Sequence, residues 1–155
     1  MFRGITAVSL DVKGRLAMPA RQRDCILEMD EKAQLVVTID TQSPCLLLYP
    51  LAEWEVIERK LEALPSFNPV TRRLQRLLMG HASEVEMDTQ GRILIPPLLR
   101  DYAKLDKRVM VVGQGQKFEL WSDAVWEAER EIWLSEDKTM NQEGGLPPEL
   151  QHISL

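Results

Sequence analysis

The sequence has few of the residues from which metal sites and disulfide frameworks are built. Its 155 residues include two cysteines, Cys25 and Cys45, and two histidines, His81 and His152. Neither pair has the spacing of a metal-ligand motif or of a disulfide framework. We therefore expect two reduced, buried thiols and neither a metal nor another cofactor.

Long apolar runs and nucleotide-binding loops are absent as well. No charge-free apolar stretch approaches the roughly 18 residues needed to cross a membrane. Residues 1–6 contain no apolar signal core, so we expect a cytoplasmic protein without a membrane partner. There is no Gly-rich phosphate loop, and no nucleophile or base accompanies the acidic residues. These absences argue against an enzyme and against a small-molecule substrate.

Positive charge is in the minority, since the formal net charge is −5. The charges are distributed unevenly, however. Residues 1–24 contain five basic side chains against two acidic ones, whereas residues 119–155 contain nine acidic against two basic. Because the local field decides what a surface attracts, the basic N-terminal part remains compatible with a polyanionic partner.

One pattern occurs twice in the chain. Residues 11–19, DVKGRLAMP, return as residues 88–96, DTQGRILIP. An arginine follows each proline by four positions, Arg23 in the first copy and Arg100 in the second. Downstream, the apolar runs of the first copy also have equivalents in the second. This self-similarity predicts two copies of one supersecondary unit.

The coarse secondary structure follows from hydrophobic periodicity and from the positions of glycine and proline. We expect strands near residues 5–10, 16–18, 34–39 and 45–49, and helices near residues 20–29, 51–64, 69–80 and 123–134. Asn68 is the expected N-cap of the third helix. A mobile tail is expected from Ser135 onward. The expected domains are residues 1–52 (first unit), 53–80 (connecting helices), 81–124 (second unit) and 125–155 (C-terminal helix and tail).

The repeated pattern predicts a tight turn in each copy. Asp11 and Asp88 can accept backbone N–H groups within their own turns, and Gly14 and Gly91 can adopt positive φ without steric cost. Neither aspartate is accompanied by a catalytic partner, so the turns explain both residues better than a paired-carboxylate active site does.

Turn chemistry does not explain the arginine that follows each glycine, Arg15 and Arg92. A guanidinium group fits phosphates, and it also fits the O6/N7 edge of guanine bidentately. A hairpin tip is narrow enough to enter the major groove of DNA. Two equivalent arginines on two turns therefore indicate nucleic-acid binding.

Other features leave alternatives open. Arg72, Arg73 and Arg76 lie on one face of the third predicted helix, where they could contact phosphates or simply face solvent. Single-stranded RNA is a weaker candidate partner, because no aromatic residues alternate with the basic turns. A protein-interaction scaffold without sequence-specific DNA binding is the alternative from another functional class.

Several further motifs carry a family resemblance. They are MFRG at residues 1–4, the two Asp-x-x-x-Arg turns, CLLLYP at 45–50, NP at 68–69, RRLQR at 72–76, GHA at 80–82, GRILIP at 91–96 and FELW at 118–121. Together they make the chain resemble the MraZ family of bacterial regulators, which is associated with the division and cell-wall gene cluster.

The resemblance implies an α+β fold in which two tandem AbrB-like swapped-hairpin β units form a pseudo-twofold β core within one chain, with flanking helices. It also implies a ring-shaped homo-oligomer, associated with the nucleoid. This oligomer would bind short direct repeats in double-stranded promoter DNA and act as a transcriptional regulator, usually a repressor.

The family's DNA-reading motif maps onto the two turns. It pairs Asp11 with Arg15 and Asp88 with Arg92, and Gly14 and Gly91 lie within the same motif. On this hypothesis the two arginines read base edges. Phosphate contacts are expected from Lys13, Arg3 and one of Arg72, Arg73 or Arg76.

Overall fold

The computed structural model describes residues 1–140, 147–150 and 153, within which the chain forms eight strands and five α-helices. In chain order these are β1 (Phe2–Ser9), β2 (Arg15–Ala17), α1 (Ala20–Met29), β3 (Gln34–Ile39), β4 (Leu46–Pro50), α2 (Leu51–Glu62), α3 (Pro69–Leu74), β5 (Ser83–Glu86), β6 (Arg92–Leu94), α4 (Pro97–Tyr102), β7 (Arg108–Gly115), β8 (Phe118–Ser122) and α5 (Asp123–Met140). Residues Met1–Asp123 form one compact unit and Ala124–Leu155 a second. The predicted α+β class is confirmed.

The most apolar strands, β3 and β4, are covered on both faces. Side chains alternate between the faces of a strand, so Leu35 and Val37 enter the main core while Val36 points the opposite way. Val36 packs with Tyr49 and with Trp54 of α2 in a second apolar cluster. Burial on two sides accounts for the nearly continuous apolar runs of these two strands.

Six strands form one antiparallel sheet in the order β1-β7-β8-β4-β3-β5. The equivalent strands β4 and β8 meet at its centre, where Leu46 faces Leu120. The first strand of each copy lies beside a strand of the other copy: β1 pairs with β7, and β5 pairs with β3. Each copy thus supplies an edge strand to the other half of the sheet.

Helix α1 has the predicted bounds, but its buried face differs from the apolar face that helical spacing predicts, Cys25, Ile26 and Met29. Gln22 and Ile26 are its buried residues, whereas Met29 is 52% exposed. The Gln22 Nε2 group donates a hydrogen bond to the Arg3 carbonyl over 2.9 Å, which allows a polar side chain to be buried.

The N-cap predicted at Asn68 is confirmed. Its Oδ1 accepts the N–H of Val70 over 2.9 Å, and Pro69 occupies the first helical position. The helix predicted over residues 69–80 changes geometry part-way, because α3 is followed by a π-helical turn, Gln75–Met79. There the Gly80 N–H donates to the Gln75 carbonyl over 3.2 Å.

Helix α5 extends to Met140 instead of ending near Leu134. Residues 135–140 contain no proline or glycine, so no strong helix-breaking residue ends the helix near Leu134. Residues 135–140 of the expected tail therefore belong to this helix. The Gly144-Gly145 pair of that tail lies outside the described residues. Within α5, the rings of Trp126 and Trp133 meet edge to face with centroids 5.7 Å apart.

Candidate nucleic-acid interface

The first repeated turn is held together by the side chain of Asp11. Its Oδ1 accepts the backbone N–H groups of Lys13 and Arg15, each over 2.9 Å. The Gly14 N–H donates to the Asp11 carbonyl over 3.0 Å, and Gly14 has φ +83°. The turn therefore has the predicted chemistry, with glycine where a side chain would strain the backbone.

The second turn repeats these contacts. Oδ1 of Asp88 accepts the N–H groups of Gln90 and Arg92, again each over 2.9 Å. The Gly91 N–H donates to the Asp88 carbonyl over 2.9 Å, and Gly91 has φ +76°. The two sequence copies have thus folded into two equivalent local structures.

In each turn the aspartate also fixes the arginine side chain. Nε of Arg15 donates to Oδ2 of Asp11 over 2.7 Å, and Nε of Arg92 donates to Oδ2 of Asp88 over 3.0 Å. The guanidinium groups make no other hydrogen bond to the described part of the chain. Since these side chains are 32% and 29% exposed, their Nη groups are available to a ligand.

The same contacts determine the protonation of the aspartates. The backbone N–H of Arg15, followed by its side chain, lowers the pKa of Asp11 below its ordinary value of 3.8. The backbone N–H and then the side chain of Arg92 likewise lower the pKa of Asp88. Both carboxylates are therefore ionised at neutral pH, as the ion pairs require.

The two turns are joined by a short antiparallel ladder between β2 and β6. Leu16 faces Ile93 in its centre, and both side chains are fully buried. Arg15 and Arg92 are diagonal neighbours on the opposite, outer face, a relation that places residues roughly 7–8 Å apart. The ladder therefore presents both guanidinium groups on one side of a narrow two-stranded ribbon.

Backbone hydrogen bonds between the copies lock this ribbon to the turns. The Met18 N–H donates to the Gly91 carbonyl over 2.8 Å, and the Ile95 N–H donates to the Gly14 carbonyl over 2.9 Å. Each glycine therefore has its carbonyl held by the other copy. This reciprocity fixes the position of one arginine relative to the other.

The remaining predicted site residues are distributed over three places. Lys13 is exposed on the first turn, and the equivalent residue of the second turn is the uncharged Gln90. Arg3 is exposed on the edge strand β1. Arg72, Arg73 and Arg76 are exposed on α3 and the π-helical turn. Among the described residues, no hydrogen bond or ion pair links Arg3 or the three arginines of α3 and the π-helical turn to either repeated turn.

Comparison with known proteins identifies the relatives of this duplicated structure. The sequence model of the MraZ protein, described as antitoxin-like, matches residues 1–77 and again residues 78–143. The chain belongs to the MraZ family. Two matches to one model also agree with the internal duplication.

Individual members of the MraZ family are similar over most or all of the chain. The transcriptional regulator MraZ of Legionella pneumophila (strain Paris) is 54% identical over the full length of both proteins. That of Coxiella burnetii (strain RSA 493 / Nine Mile phase I) is 56% identical, also over the full length of both. The regulator of Marinomonas sp. (strain MWYL1) is 57% identical over 137 residues, 88% of this chain and 90% of its own. These relatives carry the name of a regulator and not that of an enzyme.

Two residues of this MraZ-family chain contribute to the turns in a way that was not predicted from the sequence. A Cβ atom at Gly14 would lie 2.6 Å from Cζ of Arg100, and one at Gly91 would lie 2.6 Å from Cδ of Arg23. The repeat identified Arg23 and Arg100 as equivalents, but no local pattern indicated that each covers the glycine of the other copy.

One group of acidic and thiol side chains is not indicated by any pattern in the sequence. Ligand atoms of Asp40, Cys45 and Glu119 lie within 4.8 Å of one another. However, the Cys45 thiol donates to Oδ2 of Asp40 over 3.7 Å, and burial, followed by the charges of Glu119 and Asp40, raises the pKa of this thiol. Since a metal-binding cysteine must be a thiolate, this protonated thiol makes the cluster a poor fit for a metal.

Both cysteines are free thiols, but only Cys45 is buried. Cys25 is half-buried, so the prediction of two buried thiols is wrong for this residue.

The helices of the described residues differ from membrane-spanning ones, because none of them is long and apolar enough to cross a membrane.

Proposed function

We propose that this protein is a sequence-specific, DNA-binding transcriptional regulator whose reading residues are Arg15 and Arg92. The observation that carries the proposal is the pair of equivalent turns in which an aspartate orients an arginine on the outer face of one β-ribbon. The names of the relatives, transcriptional regulators all, point in the same direction.

The geometry suits a base edge better than a phosphate alone. Each ion pair uses Nε and leaves the Nη groups as donors, which match the O6 and N7 acceptors of guanine. A two-stranded ribbon also fits the width of the major groove. Asp11 and Asp88 are proposed to belong to the same interface, where they would hold the arginines in a reading orientation.

Phosphate contacts are proposed for Lys13 at the first turn and for Arg3 on β1. One of Arg72, Arg73 or Arg76 is proposed to supply a further contact. All five side chains are exposed. Such contacts fix the register of a protein on the duplex without reading sequence.

The architecture behind these turns is proposed to be a pair of AbrB-like swapped-hairpin units related by a pseudo-twofold axis. The exchange of β1 and β5 between the copies supports this arrangement, as does the β2–β6 ladder. The proposed units are residues 1–52 and 81–124, with residues 53–80 connecting them and residues 125–155 following them.

A ring of subunits is proposed to bind short direct repeats upstream of the division and cell-wall genes and to repress them. This part of the proposal rests on the family resemblance. Assembly into a ring would also explain how a protein with net charge −5 could bind DNA tightly. Linking several weak sites raises the effective concentration, so avidity can exceed the affinity of one site by about 10²–10⁴.

A gel-shift titration tests the proposal. The duplex would carry the direct repeats from upstream of the protein's own gene, and a scrambled duplex would be its control. Removal of a base-reading arginine costs about 1–3 kcal/mol and relaxes the sequence preference. We expect Arg15→Ala and Arg92→Ala each to show this loss and the double variant to lose repeat-dependent binding altogether.

Arg59→Ala provides a matched control, because Arg59 is an exposed arginine on α2, outside the proposed interface. Its titration should resemble that of the wild type. If Arg15→Ala weakened binding to both duplexes equally, the contact would be to phosphate. If the wild-type protein shifted neither duplex at low salt, the DNA proposal would fail and the interaction-scaffold alternative would be favoured.

A further inference from the structure

We infer that Arg23 and Arg100 are positioning residues, each of which holds the DNA-reading turn of the other sequence copy. This inference rests on the proposed function, because it concerns how the two reading arginines are kept in place. Neither residue belongs to the Asp-x-x-x-Arg turns themselves, and each is half-buried on a helix that follows its own copy's turn.

Arg100 of the second copy covers the first turn. A Cβ atom at Gly14 would lie 2.6 Å from Cζ, 2.7 Å from Nε and 2.8 Å from Nη1 of Arg100, so the guanidinium group lies directly against this glycine. Gly14 is consequently buried although it belongs to a surface turn. The absence of a side chain at Gly14 is what allows the flat guanidinium group to lie there.

A short series of contacts connects Arg100 to the reading residue. Nε of Arg100 donates to the Ile95 carbonyl over 3.0 Å, and the Ile95 N–H donates to the Gly14 carbonyl over 2.9 Å. Gly14 precedes Arg15, whose own N–H is held by Asp11. The backbone of Arg15 is therefore fixed from within its turn by Asp11 and from the other copy by Arg100.

Arg23 has the equivalent place at the second turn. A Cβ atom at Gly91 would lie 2.6 Å from Cδ and 2.7 Å from Nη1 of Arg23. The Gly91 carbonyl accepts the Met18 N–H, and Arg92 follows Gly91 directly. Each turn is therefore supported by an arginine of the other sequence copy. A change at Arg100 should affect Arg15, and a change at Arg23 should affect Arg92.

Hydrogen–deuterium exchange of the free, full-length protein tests this crossing without DNA. Arg100→Met keeps a long side chain but removes the guanidinium group. We expect faster exchange in peptides covering residues 11–18 and unchanged exchange in peptides covering 88–95. Arg23→Met should give the opposite pattern, and Arg21→Met, a change at an exposed arginine of the same helix, should alter neither turn.

A general loss of stability would accelerate exchange in both turns, and this result would overturn the inference. So would exchange that accelerates only in the turn of the substituted residue's own copy. Should Arg100→Met fail to fold, Arg100→Lys is the second variant. It retains the charge without the planar group, and the same crossed pattern is expected.

Gel shifts with the repeat duplex then separate positioning from direct contact. Because neighbouring groups are energetically coupled, we expect Arg100→Met to lower the ratio of specific to scrambled binding by about tenfold at an unchanged salt dependence. A phosphate contact would instead weaken both duplexes equally and reduce the salt slope by about 1, which would overturn the inference. If the wild type bound no DNA, the proposed function would fail, while the exchange experiment would still decide whether the turns are held crosswise.

Discussion

Leu16 and Ile93 face one another in the β2–β6 ladder, and neither side chain is exposed to solvent. They occupy equivalent positions in the two sequence copies. Because side chains alternate along a strand, burying this pair turns the neighbouring Arg15 and Arg92 outward. The three-residue strands β2 and β6 therefore have two distinct faces. Their buried face joins the two copies through an apolar contact, and their outer face presents the arginines of the candidate interface.

Truncation of Leu16 should destabilise the whole Met1–Asp123 unit. Leu→Ala substitutions in a packed core cost about 2–5 kcal/mol, since they remove buried apolar surface and leave a cavity. We expect a loss of this size in the free energy of unfolding of Leu16→Ala, measured by urea denaturation. Leu94→Ala is the control, because Leu94 lies in the same ladder but is 55% exposed and should change the free energy of unfolding by no more than about 0.5 kcal/mol. Equal losses in both variants would contradict the assigned faces of the ladder.

Local chemistry could be predicted from the sequence because it depends on neighbouring residues. The turn held by Asp11, the N-cap at Asn68 and the bounds of α1 all follow from patterns within a few positions. The burial of Trp54 likewise follows from its place on the apolar face of a helix.

The pairing of distant strands could not be derived in this way. In a duplicated chain, β1 has equivalent candidate partners in both copies. The residues in and near β1 do not determine that it pairs with β7 instead of β3. The contacts of Arg23 and Arg100 depend on that choice, since each reaches the glycine of the other copy. The resemblance to a family suggested exchanged hairpins, but the residues alone leave both pairings open.

Alkylation of the native protein should distinguish its two thiols. Cys45 is completely buried, and burial together with the charges of Glu119 and Asp40 raises the pKa of its thiol. Since the thiolate is the reactive form, we expect iodoacetamide to modify the half-buried Cys25 well before Cys45 at neutral pH. Peptide mass spectrometry over a time course would measure the two rates.

The same experiment in concentrated urea provides the control for intrinsic reactivity. Unfolding exposes both thiols, so their rates should then become similar. If Cys45 reacted as fast as Cys25 in the native protein, its complete burial just before β4 would be contradicted.

Asp11→Asn should weaken sequence discrimination while leaving the turn folded. Asparagine retains an oxygen that can accept the N–H groups of Lys13 and Arg15, but it removes the charge that orients the Arg15 guanidinium. Immobilising a long side chain costs about 0.5–1.5 kcal/mol, so specific affinity should fall by about two- to tenfold. Non-specific affinity should rise slightly, because a negative charge near the phosphates is lost. Gel shifts with the repeat and scrambled duplexes would measure both effects.

Asp106→Asn is the matched control, because Asp106 is exposed and lies outside both turns. It should change the affinities for the two duplexes alike. Asp11→Ala loses the backbone hydrogen bonds as well, so it should have the larger effect on the specific duplex. An unchanged ratio of specific to scrambled binding in Asp11→Asn would indicate that the ion pair does not orient a reading residue.

Acidification should remove the contribution of both aspartates to stability. Their pKa values in the folded protein lie below the ordinary 3.8, chiefly because the backbone N–H groups of Arg15 and Arg92 bind the ionised form. A lowered carboxyl pKa stabilises the folded state fully above the ordinary value, and this stabilisation is lost as the pH falls through the lowered one. The turns should therefore be insensitive to pH near neutrality and should weaken only below about pH 4.

Urea unfolding between pH 7 and pH 2.5 would isolate the contribution of the two aspartates to the free energy of unfolding. The wild type would be compared with the Asp11→Asn, Asp88→Asn double variant. Other carboxylates titrate in the same range, among them Asp30, whose pKa is lowered by the backbone N–H groups of Gln34 and Lys32. These shared contributions cancel in the difference between the free energies of unfolding of the two proteins. That difference should be constant from pH 7 to about pH 5 and should shrink below pH 4, where protonation makes the wild-type aspartates resemble asparagine. A difference in the free energy of unfolding that remained constant down to pH 2.5 would contradict the lowered pKa values of Asp11 and Asp88 in the folded protein.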